Sequence, residues 1–170
     1  AASDVYKRQV VQMTLTTYDE YLCRKLEPNV STTRERFEVL MRCKELGIPT
    51  LVWMTPILPF INDTRENIEG LLDYCLQAGV QGILVFDVGV TLREGDREYF
   101  YQALDRDFPG IRQKYVSTYG NAYDIPSPYA KELMTLIQNT CTANGILCSP
   151  KECFTYLHEF PERYVQQTLF

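Results

Sequence analysis

The chain has 170 residues, enough for one domain of ordinary size or a large piece of a bigger protein. Apolar residues make up 45% and charged residues 23%, a globular composition, and 17 basic against 22 acidic residues leave a net charge of −5 that argues against a general polyanion binder. The most apolar run, residues 51–61, is interrupted by Thr55, Pro56 and Pro59, which excludes it as a membrane span, and the single histidine, His158, excludes His-rich metal triads and two-histidine acid–base schemes.

Ala1-Ala2-Ser3-Asp4-Val5-Tyr6-Lys7-Arg8-Gln9 resembles the translation of a transposon sequencing adapter and is set apart from fold reasoning. On that reading the native chain starts at Val10, inside a strand, and the upstream part of its gene is expected to be missing. Removing Lys7, Arg8 and Asp4 leaves 15 basic against 21 acidic residues, a net charge of −6.

Val11, Met13 and Leu15 alternate with Gln12, Thr14 and Thr16, the two-residue period of a first strand. Ser31-Thr32-Thr33 followed by Glu35 and Arg36 marks a helix start of the capping-box kind, Phe37, Leu40 and Met41 form its apolar stripe, and Gly47 is placed to end it. Residues 50–55 read as a second strand. Asn62-Asp63-Thr64 is expected to cap the next helix, in which Ile68, Leu71, Leu72 and Cys75 keep helical spacing up to Gly79. Residues 82–86 form a third, nearly all-apolar strand, as expected where both faces are covered. Beyond Asp87 the pattern loosens, with a helix near residues 97–107, a break at Pro109-Gly110, and a longer helix near 128–144. Strands alternating with helices predict an α/β fold with a parallel sheet, either open or part of a βα barrel.

The cysteines at positions 23, 43, 75, 141, 148 and 153 include no CxxC pair. They are expected to be mostly small core residues of a protein in a reducing, cytoplasmic compartment. Functional residues in such folds sit at the C-terminal ends of strands. If Val11, Met13 and Leu15 face the outer helices, Gln12, Thr14 and Thr16 face the interior, where hydroxyls and an amide suit the polar groups of a nucleoside-like ligand. No lysine sits at a strand end for a Schiff base, and no glycine-rich run follows a strand to cradle phosphate.

Thr16-Thr17-Tyr18-Asp19, Leu26-Glu27-Pro28, Arg34-Glu35-Arg36-Phe37, Gly47-Ile48-Pro49, and Pro56-Ile57-Leu58-Pro59 through Asn62-Asp63 follow one another in a recognisable order. The ordered set resembles radical S-adenosylmethionine proteins, above all the spore-photoproduct-lyase-like, DNA-repair-photolyase-related group. Residues 89–101 and the closing Gln167-Thr168-Leu169-Phe170 are similar to that group as well.

The resemblance implies the C-terminal half of a partial barrel of six strands (strands four to six) over residues 10–110, with a helical extension over 111–170. It implies two cofactors in the full-length protein, S-adenosylmethionine and a 4Fe–4S cluster held by a CxxxCxxC loop. That loop is absent from this chain and is expected upstream of Val10. It also implies 5′-deoxyadenosyl-radical chemistry on a substrate the sequence does not name, the remaining N-terminal half as partner, and an electron donor such as flavodoxin or ferredoxin. Carried over by position, Thr14 and Thr16 match the residues that touch the ribose or methionine part of the cofactor. Ile57 matches an apolar contact to adenine, and Phe86-Asp87 a main-chain contact to adenine.

Other readings of the same residues stay open. Thr16 and Thr17 also fit an ordinary strand end, and Asn62-Asp63 a helix cap. Arg93 and Arg97 fit either an anionic substrate or a solvated loop pair. Cys141, Cys148 and Cys153 fit a core or an auxiliary cluster. His158 reads as a surface residue, Trp53 as core, and the tyrosines of residues 115–129 as packing or base stacking. The chain itself admits two alternatives, an ordinary α/β-barrel enzyme or a non-catalytic α/β binding domain. Nucleic acid as partner finds no support in an acidic chain without a basic stripe.

Overall fold

The computed structural model describes residues 9–158; residues 1–8 of the adapter-like segment and the closing Gln167-Thr168-Leu169-Phe170 lie outside the described residues. In chain order the elements are β1 (Val11–Thr14), α1 (Glu20–Leu26), α2 (Thr33–Glu45), β2 (Thr50–Trp53), α3 (Arg65–Ala78), β3 (Gly82–Leu84), β4 (Gly89–Thr91), α4 (Asp96–Asp107), α5 (Ile111–Tyr119), β5 (Asp124–Pro126), α6 (Ala130–Asn144) and α7 (Pro150–His158).

The expected α/β fold with a parallel sheet is present. β1, β2 and β3 lie side by side in sequence order, all parallel, with Val11 opposite Thr50 and Leu51 opposite Gly82. Leu147 extends the β3 edge by one parallel bridge, donating to the Gln81 carbonyl at 3.0 Å and accepting from Ile83 at 2.7 Å. The described residues form no closed barrel.

The two faces of this sheet differ. Leu15, Val52, Met54, Ile83 and Val85 are buried against Phe37 and Leu40 of α2, Ile68, Leu71 and Cys75 of α3, and Leu133, Ile137 and Cys141 of α6. On the other face Leu51 and Leu84 meet Cys153 and Phe154 of α7, but next to them Gln12 and Thr14 are exposed. Trp53, expected in the core, lies half-buried on this open face, donating from its indole nitrogen to Gln12 Oε1 at 2.9 Å. Its N–H needs a polar partner, and the open face supplies one.

Helix ends follow local chemistry. The Thr32 hydroxyl accepts from Glu35 N at 3.3 Å while Glu35 Oε2 accepts from Thr32 N at 2.7 Å, the expected capping box. Gly47 and Gly79 take the left-handed conformation that ends α2 and α3. The cap of α3 is Thr64 alone, whose hydroxyl accepts from Asn67 N at 3.2 Å. Asn62 and Asp63 are drawn elsewhere, as described below.

After β3 the chain departs from the expected pattern. β4 and β5 pair antiparallel, each three residues long, too short to display a period in sequence. The two helices between them, α4 and α5, close over Leu92, Tyr101, Leu104, Tyr115 and Ile125. Residues on both sides of residue 110 share this apolar cluster. Tyr115 donates to the Pro59 carbonyl at 2.8 Å and Tyr119 to that of Pro126 at 2.6 Å, so these tyrosines pack and brace. His158 is exposed, with Nδ1 2.7 Å from the Phe154 carbonyl oxygen.

Candidate functional site

The C-terminal ends of β2 and β3 open into a cleft of about 730 Å³ that also touches the β4–β5 pair. Its walls include Thr55, Phe86, Asp87, Gly89, Thr91 and Asp124. Phe86 is 57% exposed, and the Asp87 carboxylate accepts from Val88 N at 2.7 Å while remaining accessible. Gly89 has a local reason: a side chain there would strike the Ile125 carbonyl oxygen and the Pro126 backbone of β5. Among the described residues no lysine or arginine lines the cleft, and those that do offer carboxylates, hydroxyls and backbone on an apolar floor.

Beyond β1 the chain must turn into α1, and buried amides hold it there. Asn62 Nδ2 donates to the Thr16 carbonyl at 3.0 Å and to Thr17 Oγ1 at 3.1 Å, while its Oδ1 accepts from Leu58 N at 2.6 Å. Asn67 Nδ2 donates to the Thr16 and Asn62 carbonyls at 2.9 and 2.8 Å, and its Oδ1 accepts from Tyr18 N at 2.6 Å. Two primary amides thus satisfy strand-end backbone that no ladder can reach. Asp63, also buried, accepts from Ser127 Oγ at 2.6 Å, and burial pushes its carboxyl above the usual carboxylate range.

A second chain of contacts runs along the outer side of β1. The Thr16 hydroxyl donates to Glu27 Oε1 at 2.8 Å, Arg36 Nη2 donates to Glu27 Oε2 at 2.6 Å, and Arg36 Nη1 donates to the Thr14 carbonyl at 3.1 Å. The Arg36 side chain is only 12% exposed, so this pair is more than a solvated surface contact.

These positions sort the sequence-derived candidates. Phe86 and Asp87 line the cleft, whereas Thr14 is exposed on the open face of the sheet and is not among the residues that line it. Thr16 is 6% exposed with its hydroxyl engaged by Glu27, and Ile57 is wholly buried in the main core. In the described residues these two shape the site from behind and do not line the cleft. Arg93 hydrogen-bonds the Tyr123 side chain, which holds the phenol below its ordinary range. Arg97 donates to the carbonyls of Leu92 at 3.1 Å, Asn121 at 3.3 Å and Ala122 at 2.7 Å. Both arginines thereby tie α4 to the segment before β5. Glu27, Arg36, Asn67 and Asp124 carry no strand-end signal in the sequence, although Glu27 and Arg36 fall inside the family-like motifs.

We expect Thr16→Val to destabilise the protein by about 1–3 kcal/mol, because Glu27 loses a donor in a partly desolvated place. Thr14→Val should change stability by less than about 0.5 kcal/mol. Urea unfolding of both variants checks this; equal midpoints would remove the network from the account.

The residues present fit S-adenosylmethionine and its cluster unequally. The accessible hydroxyl of Thr14, the carboxylate of Asp87 and the backbone at Phe86 are suitable partners for ribose and adenine. Cluster ligation is a different matter: among the described residues no three Cys, His, Asp or Glu side chains are placed together to hold a metal.

No family model matches the chain, and no solved structure matches it. It is 28% identical over 123 residues to uncharacterized proteins of Mycobacterium tuberculosis (strain ATCC 25618 / H37Rv) and Mycobacterium bovis, a match covering 72% of this chain and 36% of theirs. It is 30% identical over 82 residues to an uncharacterized protein of Acidianus two-tailed virus, covering 46% of this chain and 27% of that one. The chain thus spans about a third of the length of the mycobacterial relatives it matches.

Proposed function

We propose that this chain is the C-terminal half of the partial βα barrel of a radical S-adenosylmethionine enzyme. The observation that carries the reading is the one-sided winding of the sheet. β1, β2 and β3 follow one another in order, and α2 and α3 return on the same face. A doubly wound sheet reverses its order and places helices on both sides, whereas a barrel keeps its order and its helices outside. On the opposite face α7 covers Leu51 and Leu84, and beside it exposed Gln12 and Thr14 and half-buried Trp53 form the surface a barrel would turn inward.

When bound, S-adenosylmethionine on a reduced 4Fe–4S cluster supplies a 5′-deoxyadenosyl radical able to abstract hydrogen. This chain's own part is binding and orientation. The Thr14 hydroxyl and the backbone at Phe86-Asp87 position the nucleoside, and the Asn62–Asn67 amides fix the strand ends from which they project. The Glu27–Arg36 pair holds the rim of β1. Among the described residues the cleft is lined by Asp87 and Asp124 and by no cation, which disfavours a phosphate-rich substrate such as DNA. An electron donor of the flavodoxin or ferredoxin class belongs to the same reading.

The proposal is tested on the reading frame of the complete gene. It should contain CxxxCxxC within roughly one to two hundred residues before Val10, a half-barrel's worth of chain. A complete frame without that motif returns the ordinary barrel enzyme or the binding domain to first place.

A further inference from the structure

A second cavity, of about 470 Å³, lies where the loop after β2 and the start of α3 meet α5 and the start of α6. Phe60 forms one of its walls. This residue takes a left-handed backbone conformation, φ 64°, that a bulky side chain rarely adopts. Tyr115 holds it there: its hydroxyl donates to the Pro59 carbonyl at 2.8 Å, and its ring meets that of Phe60 edge-on at 5.7 Å. Tyr129, 55% exposed, forms another wall. The volume and the aromatic walls suit a small molecule with an apolar portion.

Among the described residues four charged side chains line this cavity, and they divide into two kinds. Arg65 and Glu132 answer each other at 3.6 Å, and Arg65 also holds Glu69 at 2.8 Å. Asp63 and Lys114 have no ion-pair partner among the described residues. Asp63 is 3% exposed, and its side-chain partner is the neutral hydroxyl of Ser127 at 2.6 Å, so a carboxyl group is buried with no cation to balance it. Burial accordingly holds that carboxyl above its usual range. The exposed Lys114 ammonium lies 5.9 Å from the centroid of the Phe60 ring, and no carboxylate is bonded to it. One acid and one base are thus left unanswered in the same cavity.

We infer that this cavity binds a free α-amino acid with a large apolar side chain. The Asp63 carboxylate takes the ligand's ammonium, the Lys114 ammonium takes its carboxylate, and Phe60 and Tyr129 flank the side chain. A ligand of one charge alone answers one of these two groups and leaves the other unbalanced, whereas a zwitterion answers both. The ammonium also favours the ionised form of Asp63, which burial alone opposes. Among the described residues this cavity shares no lining residue with the cleft at the ends of β2 and β3, so the inference does not depend on radical chemistry there.

The test is saturation-transfer NMR on the whole chain, a measurement that large assemblies favour, with L-phenylalanine as the probe. Phenylpropionate, which lacks the ammonium, and phenethylamine, which lacks the carboxylate, are titrated beside it. L-Phenylalanine is expected to bind, and each one-ended analogue to bind about tenfold more weakly, because a hydrogen bond between charged groups is lost. Lys114→Gln, at an exposed position, should weaken L-phenylalanine about tenfold and leave phenethylamine unchanged. Asp63→Asn, which keeps an acceptor for Ser127, should weaken L-phenylalanine to a similar degree and leave phenylpropionate unchanged. This crossed pattern separates recognition of the two ligand ends from a general loss of structure. No saturation of L-phenylalanine, analogues that bind as tightly as the amino acid, or a Lys114→Gln chain that loses all three probes alike would overturn the inference.

Discussion

Replacing Asn62 with alanine is expected to lower the unfolding free energy by about 2–4 kcal/mol, a large fraction of the stability of a domain this size. The side chain is 1% exposed and makes three hydrogen bonds, to Thr16, Thr17 and Leu58. Alanine leaves the Leu58 N–H without its partner and removes a donor from the Thr16 carbonyl, in a place with little room for water. The Asn67 amide still reaches the Thr16 carbonyl, which is why the cost stays at a few kcal/mol. Aspartate at position 62 should be worse than alanine, since it retains the acceptor but loses both donations and brings a charge. Chemical denaturation, with the slope against denaturant unchanged, measures the effect; a cost below about 1 kcal/mol means that the strand ends are held by something else.

The second large effect concerns association. No strand among the described residues pairs with the outer edge of β1. The face beside that edge carries Gln12, Thr14 and a half-buried Trp53. An unpaired edge next to apolar surface is a template for another chain. Arg36 blocks only its C-terminal end, through the Thr14 carbonyl. Residues 1–170 alone should therefore scatter light as oligomers or larger assemblies and should not bind S-adenosylmethionine measurably. Gln12→Lys, placing a charge on that edge, should shift the population toward monomer. A monodisperse species near 19.7 kDa with cooperative thermal unfolding would instead mark residues 10–170 as self-sufficient.

Much of the fold was legible because its central elements announce themselves through period and punctuation. Val11, Met13 and Leu15 alternate, Ile68, Leu71, Leu72 and Cys75 keep helical spacing, and Thr32 with Glu35 writes a capping box. The antiparallel pair β4–β5 was not legible. Its strands are short, its partners are separated by two helices, and pairing at that distance leaves no local signature. Helix α1 escaped for a related reason: its length of 7 residues carries too few turns for a stripe, although Asp19 caps it by accepting from Leu22 N at 2.6 Å.

At the site, residue type was a better guide than residue role. Strand-end position selected Thr14, Phe86 and Asp87, which are exposed, the last two in the walls of the cleft. It selected Thr16 and Ile57 equally, because nothing local distinguishes a hydroxyl facing ligand from one facing Glu27, or a lining isoleucine from a core one. Asn62 showed the same ambiguity in reverse. Its capping chemistry was visible, yet the tertiary fold directs the amide to the backbone of another strand.

The proposed function is tested most directly on the complete protein purified without oxygen, with iron and sulfide counted and S-adenosylmethionine added under reduction. About four irons and four sulfides per chain are expected. Release of 5′-deoxyadenosine and methionine is expected as well, with cofactor binding weakened several-fold by Thr14→Val at unchanged iron content. A complete, active protein that contains no iron and leaves S-adenosylmethionine intact would contradict it.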